Sequence, residues 1–178
     1  IVSQILVMES LLDNERVSHV VVMGTGEPFD NYDNVMDFVK IINEPKGLAI
    51  GARHITISTC GIAPKIEEYA HSGLQINLAI SLHAPNDELR KTIMPIANAY
   101  KIEDILKACD YYFDKTGRRI AIEYSLISGV NDTDECIQEL AKILRGRSCH
   151  VNLIPLNSVK EKNLIGATRK HAYVLMGK

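Results

Sequence analysis

The sequence lacks tryptophan, has only three phenylalanines and shows no ligand-like spacing among its four cysteines. The cysteines stand at positions 60, 109, 136 and 149. Because no Cys-x-x-Cys pair or similar arrangement occurs, the sequence argues against a disulfide framework and against a metal site formed by this chain alone. A reducing cytoplasm is the simplest location for such a protein, and the shortage of aromatic residues leaves no obvious platform for stacked bases.

Long apolar runs and a strong net charge are absent too. No stretch reaches the roughly 18 apolar residues of a membrane-spanning helix, and no signal-peptide pattern follows Ile1. The net charge of −2 gives no general attraction to nucleic acid, so any affinity for RNA must come from local basic patches. With 178 residues, 46% of them hydrophobic, we expect a single domain over residues 1–178, cut from a longer protein.

Five segments rich in apolar and β-branched residues are each followed by small polar residues. Their predicted strand bounds are 17–23, 54–57, 76–80, 119–126 and 149–156. Six other segments repeat apolar residues with the 3.6-residue period of an amphipathic helix. These predicted helices lie within 1–12, 35–42, 66–70, 102–112, 137–144 and 172–176. Helices and strands therefore alternate along the chain.

This alternation predicts an α/β fold with parallel strands joined by right-handed crossovers. An open doubly wound sheet and a partial (β/α) barrel both satisfy it. The partial barrel is favoured because polar residues follow all five strands, whereas a doubly wound sheet uses one crevice. The carboxyl ends of parallel strands share one edge of the sheet, so the chain directs its chemistry to that edge.

The turn after the first strand contains two glycines, a carboxylate and a proline. Gly24 and Gly26 lack the third glycine of a dinucleotide-binding G-x-G-x-x-G, and Pro28 stands where that fold would open its helix. The exposed backbone and the Glu27 carboxylate are suited to holding an ammonium group, although an ordinary turn with a solvated glutamate explains them equally well. Because the strand ends are expected to be exposed, replacement of Glu27 by alanine should leave folding nearly unchanged.

Five motifs follow the strands in a fixed order. They are residues 23–28 (MGTGEP), 58–61 (STCG), 79–87 (AISLHAPND), 130–132 (VND) and 152–157 (NLIPLN). The ordered set resembles the radical S-adenosylmethionine RNA methyltransferases that methylate carbon 2 of adenine in 23S rRNA and tRNA, and the resemblance spans essentially the whole chain. It implies a partial radical SAM barrel whose first strand is missing. A relative that methylates carbon 8 of adenine, and a binding module without catalysis, stay open as alternatives.

The resemblance assigns seven residues to the binding of S-adenosylmethionine. They are Gly26, Glu27, Ser58, Ser81, Leu82, His83 and Asn157. In the resemblance, residues 26 and 27 hold the methionine amino group, and Ser58 contacts the methionyl or ribose part. Residues 81–83 line the ribose and adenine side, and Asn157 offers its amide to the nucleoside. His83 is assigned to binding and not to proton transfer.

The resemblance also places essential parts outside this sequence. A Cys-x-x-x-Cys-x-x-Cys motif, which would supply three thiolates to a [4Fe–4S] cluster, belongs upstream of Ile1. The cysteine that carries the methyl group belongs beyond Lys178. None of the four cysteines present occupies either place, so we expect no catalytic residue and no metal ligand within the chain, and no turnover by the chain alone.

The partners follow from the same resemblance. It implies rRNA and tRNA substrates, an electron donor such as flavodoxin, and no membrane. Four basic residues after the fifth strand are the best placed to meet RNA phosphates. They are Lys160, Lys162, Arg169 and Lys170.

Overall fold

The computed structural model describes residues 1–13, 15–157 and 164–177. Five strands lie within these ranges: β1 Val20–Val22, β2 Ile55–Thr59, β3 Asn77–Ser81, β4 Ile120–Leu126 and β5 Cys149–Pro155. The α-helices described are α1 Val2–Ser10, α2 Tyr32–Asn43, α3 Ala63–Ala70, α4 Asp87–Ile93, α5 Ile102–Thr116, α6 Asp134–Leu144 and α7 Arg169–Met176. Short 3₁₀ turns cover Pro28–Asn31, Ala52–His54 and Pro95–Asn98.

All five strands are parallel and stand in the order β1-β2-β3-β4-β5. Each crossover therefore steps to the next strand in the same direction. Right-handed crossovers that never reverse direction keep the helices on one face of the sheet, which is the winding of a (β/α) barrel. The predicted α/β class and partial barrel are confirmed, whereas a doubly wound sheet would reverse its strand order.

The outer face of the sheet is apolar because alternate residues of each strand point toward the helices. Its buried side chains include Ile55, Ile57, Leu78, Ile80, Ile120, Ile122, Tyr124 and Leu126. They form one core with the apolar stripes of the helices, for example Ile105 and Tyr112 on α5. The hydrophobic content of the sequence is thus concentrated between the sheet and its helices.

The inner face of the sheet is polar. Strand register places Ser81, Glu123 and Asn152 side by side across β3, β4 and β5. Ser58 lies on the same face, opposite Ala79. The helices cover the other face, so these polar groups line the concave side of the partial barrel.

Most helices were predicted from their periodicity, but α4 was not. This helix has seven residues, and Arg90 is its only buried side chain, so it shows no apolar stripe. Its start is fixed by Asn86, whose side-chain oxygen accepts a hydrogen bond from the backbone N–H of Leu89 at 2.9 Å. The strand β1 is shorter than the predicted 17–23, because only residues 20–22 pair with β2.

Candidate cofactor-binding site

The turn after β1 presents Gly26 and Glu27 at the carboxyl edge of the sheet. Gly26 has a φ of +114°, and a side chain at this position would meet no atom within 4 Å. Its backbone is therefore open to a ligand, and the positive φ explains the need for glycine. The Glu27 carboxylate is half-buried, and each of its oxygens accepts one backbone hydrogen bond, from Phe29 at 3.0 Å and from Cys60 at 2.6 Å.

These bonds change the interpretation of Glu27. The premise that Glu27 is a solvated surface residue is wrong, because its side chain joins the turn after β1 to the end of β2. A carboxylate can accept about four hydrogen bonds, so the two that are formed leave acceptor capacity on both oxygens. Glu27 can therefore hold an ammonium group while it fixes the backbone.

Ser58 and Ser81 lie next to each other at the ends of β2 and β3. Their hydroxyl oxygens are 3.5 Å apart. Ser58 is buried, with 5% of its surface exposed, and Ser81 is partly exposed. Each hydroxyl can donate one hydrogen bond and accept others, so the pair forms a small polar patch on the inner face.

Leu82 and His83 continue the chain from β3 into the loop. The side chain of Leu82 is fully buried, its N–H donates to the carbonyl oxygen of Glu123 at 3.0 Å, and its own carbonyl accepts from Arg90. Leu82 therefore shapes the site and has no free donor for a ligand. His83 has a φ of +59°, in the left-handed region that few non-glycine residues adopt. Its Nδ1 accepts a hydrogen bond from the backbone N–H of Ser125 at 3.0 Å, which leaves the proton of the neutral ring on Nε2.

The pKa of His83 is lowered to about 4, first by burial and then by the positive charge of Arg90. The imidazole is therefore neutral at pH 7 and acts as a hydrogen-bond donor through Nε2–H. A neutral ring with a fixed tautomer is suited to binding a polar ligand. The predicted assignment of His83 to binding, and not to proton transfer, is consistent with this environment.

Asn131 fixes the loop that carries His83. Its side-chain N–H groups donate to the carbonyl oxygens of His83 at 2.8 Å and Ser125 at 2.7 Å, and its side-chain oxygen accepts from the backbone of Ile127 at 2.7 Å. Asn131 is completely buried, and these bonds satisfy its amide. The VND motif therefore joins the ends of β3 and β4 rather than facing a ligand.

Arg90 is a central residue of the site that the sequence did not reveal. Its guanidinium is completely buried and donates to the carbonyl oxygens of Cys60 at 2.5 Å and Leu82 at 3.1 Å. Longer bonds of 3.4 Å reach the carbonyls of Ser81 and Tyr100. Within the described residues no carboxylate forms an ion pair with it, and burial lowers its pKa. Through these bonds Arg90 links the residues at the carboxyl end of β2 to those at the carboxyl end of β3.

Asn157 lies two residues beyond β5 and is exposed at the same edge. Arg169 and Lys170 form the exposed first turn of α7. Lys160 and Lys162, which are also predicted to contact RNA, lie outside the described residues.

The cysteines do not form a metal site. All four are free thiols: Cys60 follows β2, and Cys109, Cys136 and Cys149 lie on α5, α6 and β5. Burial raises the pKa of Cys60 and of Cys109 to about 12, which opposes the thiolate form that metals bind. No group of three or more histidine, cysteine or acidic side chains that could hold a metal ion is found in the described part of the chain.

A parallel partial barrel with a polar inner face and polar residues after every strand is the architecture of enzymes that bind a cofactor across their strand ends. Residues 4–144 match the family model described as the radical SAM superfamily. The chain belongs to this superfamily, which implies S-adenosylmethionine and a [4Fe–4S] cluster as cofactors.

Curated relatives and solved structures agree with this family. The chain is 59% identical over 170 residues to a probable dual-specificity RNA methyltransferase RlmN of Clostridium perfringens, covering 96% of this chain and 49% of the relative. A relative of the same name from Lysinibacillus sphaericus is 54% identical, over 97% of this chain and 46% of the relative. The chain thus spans about half the length of these relatives.

A crystal structure of a radical SAM methyltransferase from Sphaerobacter thermophilus superposes with a TM-score of 0.92 at 41% identity, over 99% of this chain and 51% of that chain. A domain of a pyruvate-formate lyase-activating enzyme from Bacteroides vulgatus superposes with a TM-score of 0.65 at 20% identity, over 90% of this chain and 92% of that domain. The second similarity shows the fold alone.

The residues present fit one of the two implied cofactors. The open backbone at Gly26, the spare acceptors of Glu27, the paired hydroxyls of Ser58 and Ser81 and the neutral ring of His83 complement an amino acid joined to a nucleoside. The four dispersed thiols do not fit a [4Fe–4S] cluster, which needs at least three convergent thiolates. Separately, no described helix is long and apolar enough to cross a membrane.

Proposed function

We propose that residues 1–178 are a single core domain that binds S-adenosylmethionine in a radical SAM methyltransferase, and that the whole protein methylates carbon 2 of adenine in 23S rRNA and tRNA. The observation that carries this proposal is the convergence of the ends of β1, β2 and β3 at one edge, tied together by Glu27 and Arg90. The names of the relatives support the RNA substrate and the methyl transfer.

In this proposal the cofactor lies across the carboxyl ends of the strands. Glu27 accepts hydrogen bonds from the methionine ammonium beside the open backbone of Gly26. Ser58 contacts the methionyl or ribose part, while Ser81, Leu82 and the Nε2–H of His83 line the ribose and adenine side. Asn157 contributes its amide from the end of β5. When bound, S-adenosylmethionine supplies the radical chemistry and the methyl group, whereas these residues bind and orient it.

The chain alone is proposed to be inactive, because its cysteines do not fit the cluster. RNA phosphates are proposed to meet Lys160, Lys162, Arg169 and Lys170, which follow β5. We further propose a cytoplasmic protein that receives electrons from a donor such as flavodoxin.

The test uses the full-length protein that contains this chain, loaded with its cofactors and incubated with rRNA and tRNA that lack the modification. Mass spectrometry of the digested nucleosides should detect 2-methyladenosine. Detection of 8-methyladenosine instead would identify the relative that methylates carbon 8. Binding of S-adenosylmethionine without any methylated nucleoside would favour a binding module, and absence of binding would overturn the proposal. Glu27→Ala should abolish the product, whereas Asp30→Ala, an exposed neighbour, should retain it.

A further inference from the structure

Glu123 is an unexplained carboxylate on the inner face of the barrel. It is the only acidic residue within the five strands, and 7% of its surface is exposed. Burying a carboxylate is costly unless hydrogen bonds or a cation compensate for the lost water. A glutamate in the middle of β4 therefore requires partners.

The protein supplies only part of that compensation. One oxygen of Glu123, Oε1, accepts a hydrogen bond from the side-chain amide of Asn152 at 2.9 Å. No basic side chain among the described residues forms an ion pair with Glu123. The second oxygen, Oε2, accepts no hydrogen bond from a described residue, so an acceptor remains open within the concave face.

The neighbours of Glu123 belong to the proposed cofactor site. Ser81 on β3 is its register partner on one side, and Asn152 on β5 is its partner on the other. The Ser81 hydroxyl in turn lies 3.5 Å from that of Ser58. A carboxylate between a hydroxyl and an amide complements a ligand with adjacent hydroxyl groups, because it accepts from hydroxyls while its neighbours can also donate.

The methionine end of the cofactor does not compete for this position. Glu27, after β1, is the carboxylate placed for the ammonium group. The Glu27 carboxylate contacts the end of β2, and Glu123 lies on β4, two strands further along the sheet. A carboxylate that accepts from ribose hydroxyls is a recurrent solution in nucleotide-binding folds.

We propose that Glu123, held by Asn152, accepts hydrogen bonds from the ribose hydroxyls of S-adenosylmethionine. This inference rests on the proposed function and adds a residue that recognises the ribose of the cofactor. Glu123 is a binding residue in this role, and Asn152 is a positioning residue that fixes the orientation of its carboxylate.

The test measures dissociation constants by calorimetry on the full-length protein, with S-adenosylmethionine and its 2′-deoxy and 3′-deoxy analogues as probes. The wild type should bind at least one deoxy analogue about tenfold to a hundredfold more weakly, because a hydrogen bond to a charged group is lost. Glu123→Gln should bind S-adenosylmethionine more weakly by a similar factor and should discriminate less against that analogue. Thr56→Val, on the same face near the amino ends of the strands, should match the wild type.

Each of the other possible results would overturn either the inference or the proposed function. Equal affinity of the wild type for all three ligands overturns the inference but leaves the proposed function standing, and this result does not depend on whether a variant folds. Undiminished discrimination by Glu123→Gln also overturns it. If the loss in Glu123→Gln disappears only with an analogue that lacks the adenine amino group, the carboxylate contacts the base instead. Failure of the wild type to bind S-adenosylmethionine overturns the proposed function, and the inference with it.

Discussion

The carboxylate of Glu27 accepts a hydrogen bond of 2.6 Å from the backbone N–H of Cys60. This contact joins the turn after β1 to the end of β2 across 33 residues of sequence. The other carboxylate oxygen accepts from the N–H of Phe29 and caps the short helical turn that begins at Pro28. One side chain therefore organises two neighbouring strand ends and still has acceptors for a ligand.

Glu27→Ala should destabilise the protein as well as weaken cofactor binding. Two partly buried N–H groups lose their acceptor, and we expect the free energy of unfolding to fall by about 1–3 kcal/mol. Urea denaturation measures this change. Asp30→Ala is the matched control because Asp30 is exposed, and its effect should stay within about 0.5 kcal/mol. Equal stability of Glu27→Ala and the wild type would show that water replaces the carboxylate.

Arg90 should be among the most sensitive positions of the chain. Arg90→Ala removes the donors to the carbonyls of Cys60, Ser81, Leu82 and Tyr100, and we expect a loss of about 3 kcal/mol or more in the free energy of unfolding. Arg90→Lys keeps the charge, but one ammonium cannot reach carbonyls placed around a planar guanidinium. Both variants should therefore unfold at lower urea concentration, whereas the exposed neighbour variant Lys91→Ala should not. A stability for Arg90→Lys equal to that of the wild type would contradict this role.

His83 should contribute a pH dependence to stability below neutrality. Its pKa is about 4 in the folded protein and about 6.5 in its ordinary state. Between these values the unfolded chain binds a proton at His83 that the folded protein does not bind. The free energy of unfolding should therefore rise with pH from about 4 to 6.5 and should gain nothing more from His83 at higher pH.

The measurement compares urea denaturation of the wild type and His83→Asn at several pH values across this window. Asparagine tolerates a positive φ better than most residues, so the variant tests the ring rather than the backbone. The wild type should show the steeper rise, and the difference isolates His83 from the carboxylates that titrate nearby. Identical slopes, or an imidazole that titrates near 6.5 by nuclear magnetic resonance, would refute the assigned environment.

The sequence predicted the elements whose signals are local. Apolar alternation and period located all five strands and six of the helices, and their order led to the partial barrel. The helix α4 could not be found this way because seven residues with one buried arginine carry no period. The helix matters because its Arg90 donates hydrogen bonds to the carbonyl oxygens of residues 60, 81, 82 and 100. No local sequence pattern indicates partners that distant.

In the candidate site, too, features with a local sequence signal could be predicted and contacts between distant residues could not. The ends of the strands could be predicted from the sequence, and parallel pairing places them along one edge of the sheet, while the binding roles of the residues there stay predictions. The bond from Cys60 to Glu27, which changes the stability expected of Glu27→Ala, could not be predicted because Cys60 follows another strand. Glu123 had a usable signal: in IAIEYSL it alternates with buried apolar residues, which places it on the inner face. Its pairing with Asn152 depends on the register of β4 and β5 and could not be predicted locally.

Gly61→Ala should destabilise the end of β2 for two separable reasons. Gly61 has a φ of +97°, and an added Cβ would lie 2.7 Å from the Cδ1 atom of Ile105 on α5. The backbone strain alone costs about 1–3 kcal/mol, and the overlap adds to it. Gly146→Ala is the control, because Gly146 also has a positive φ, of +81°, but open space around its Cβ. The loss for Gly61→Ala, measured by urea denaturation, should exceed that for Gly146→Ala, and Ile105→Val should reduce the excess in the double variant. Equal losses at the two glycines would mean that α5 shifts without cost and that the close packing at the site edge is not constrained.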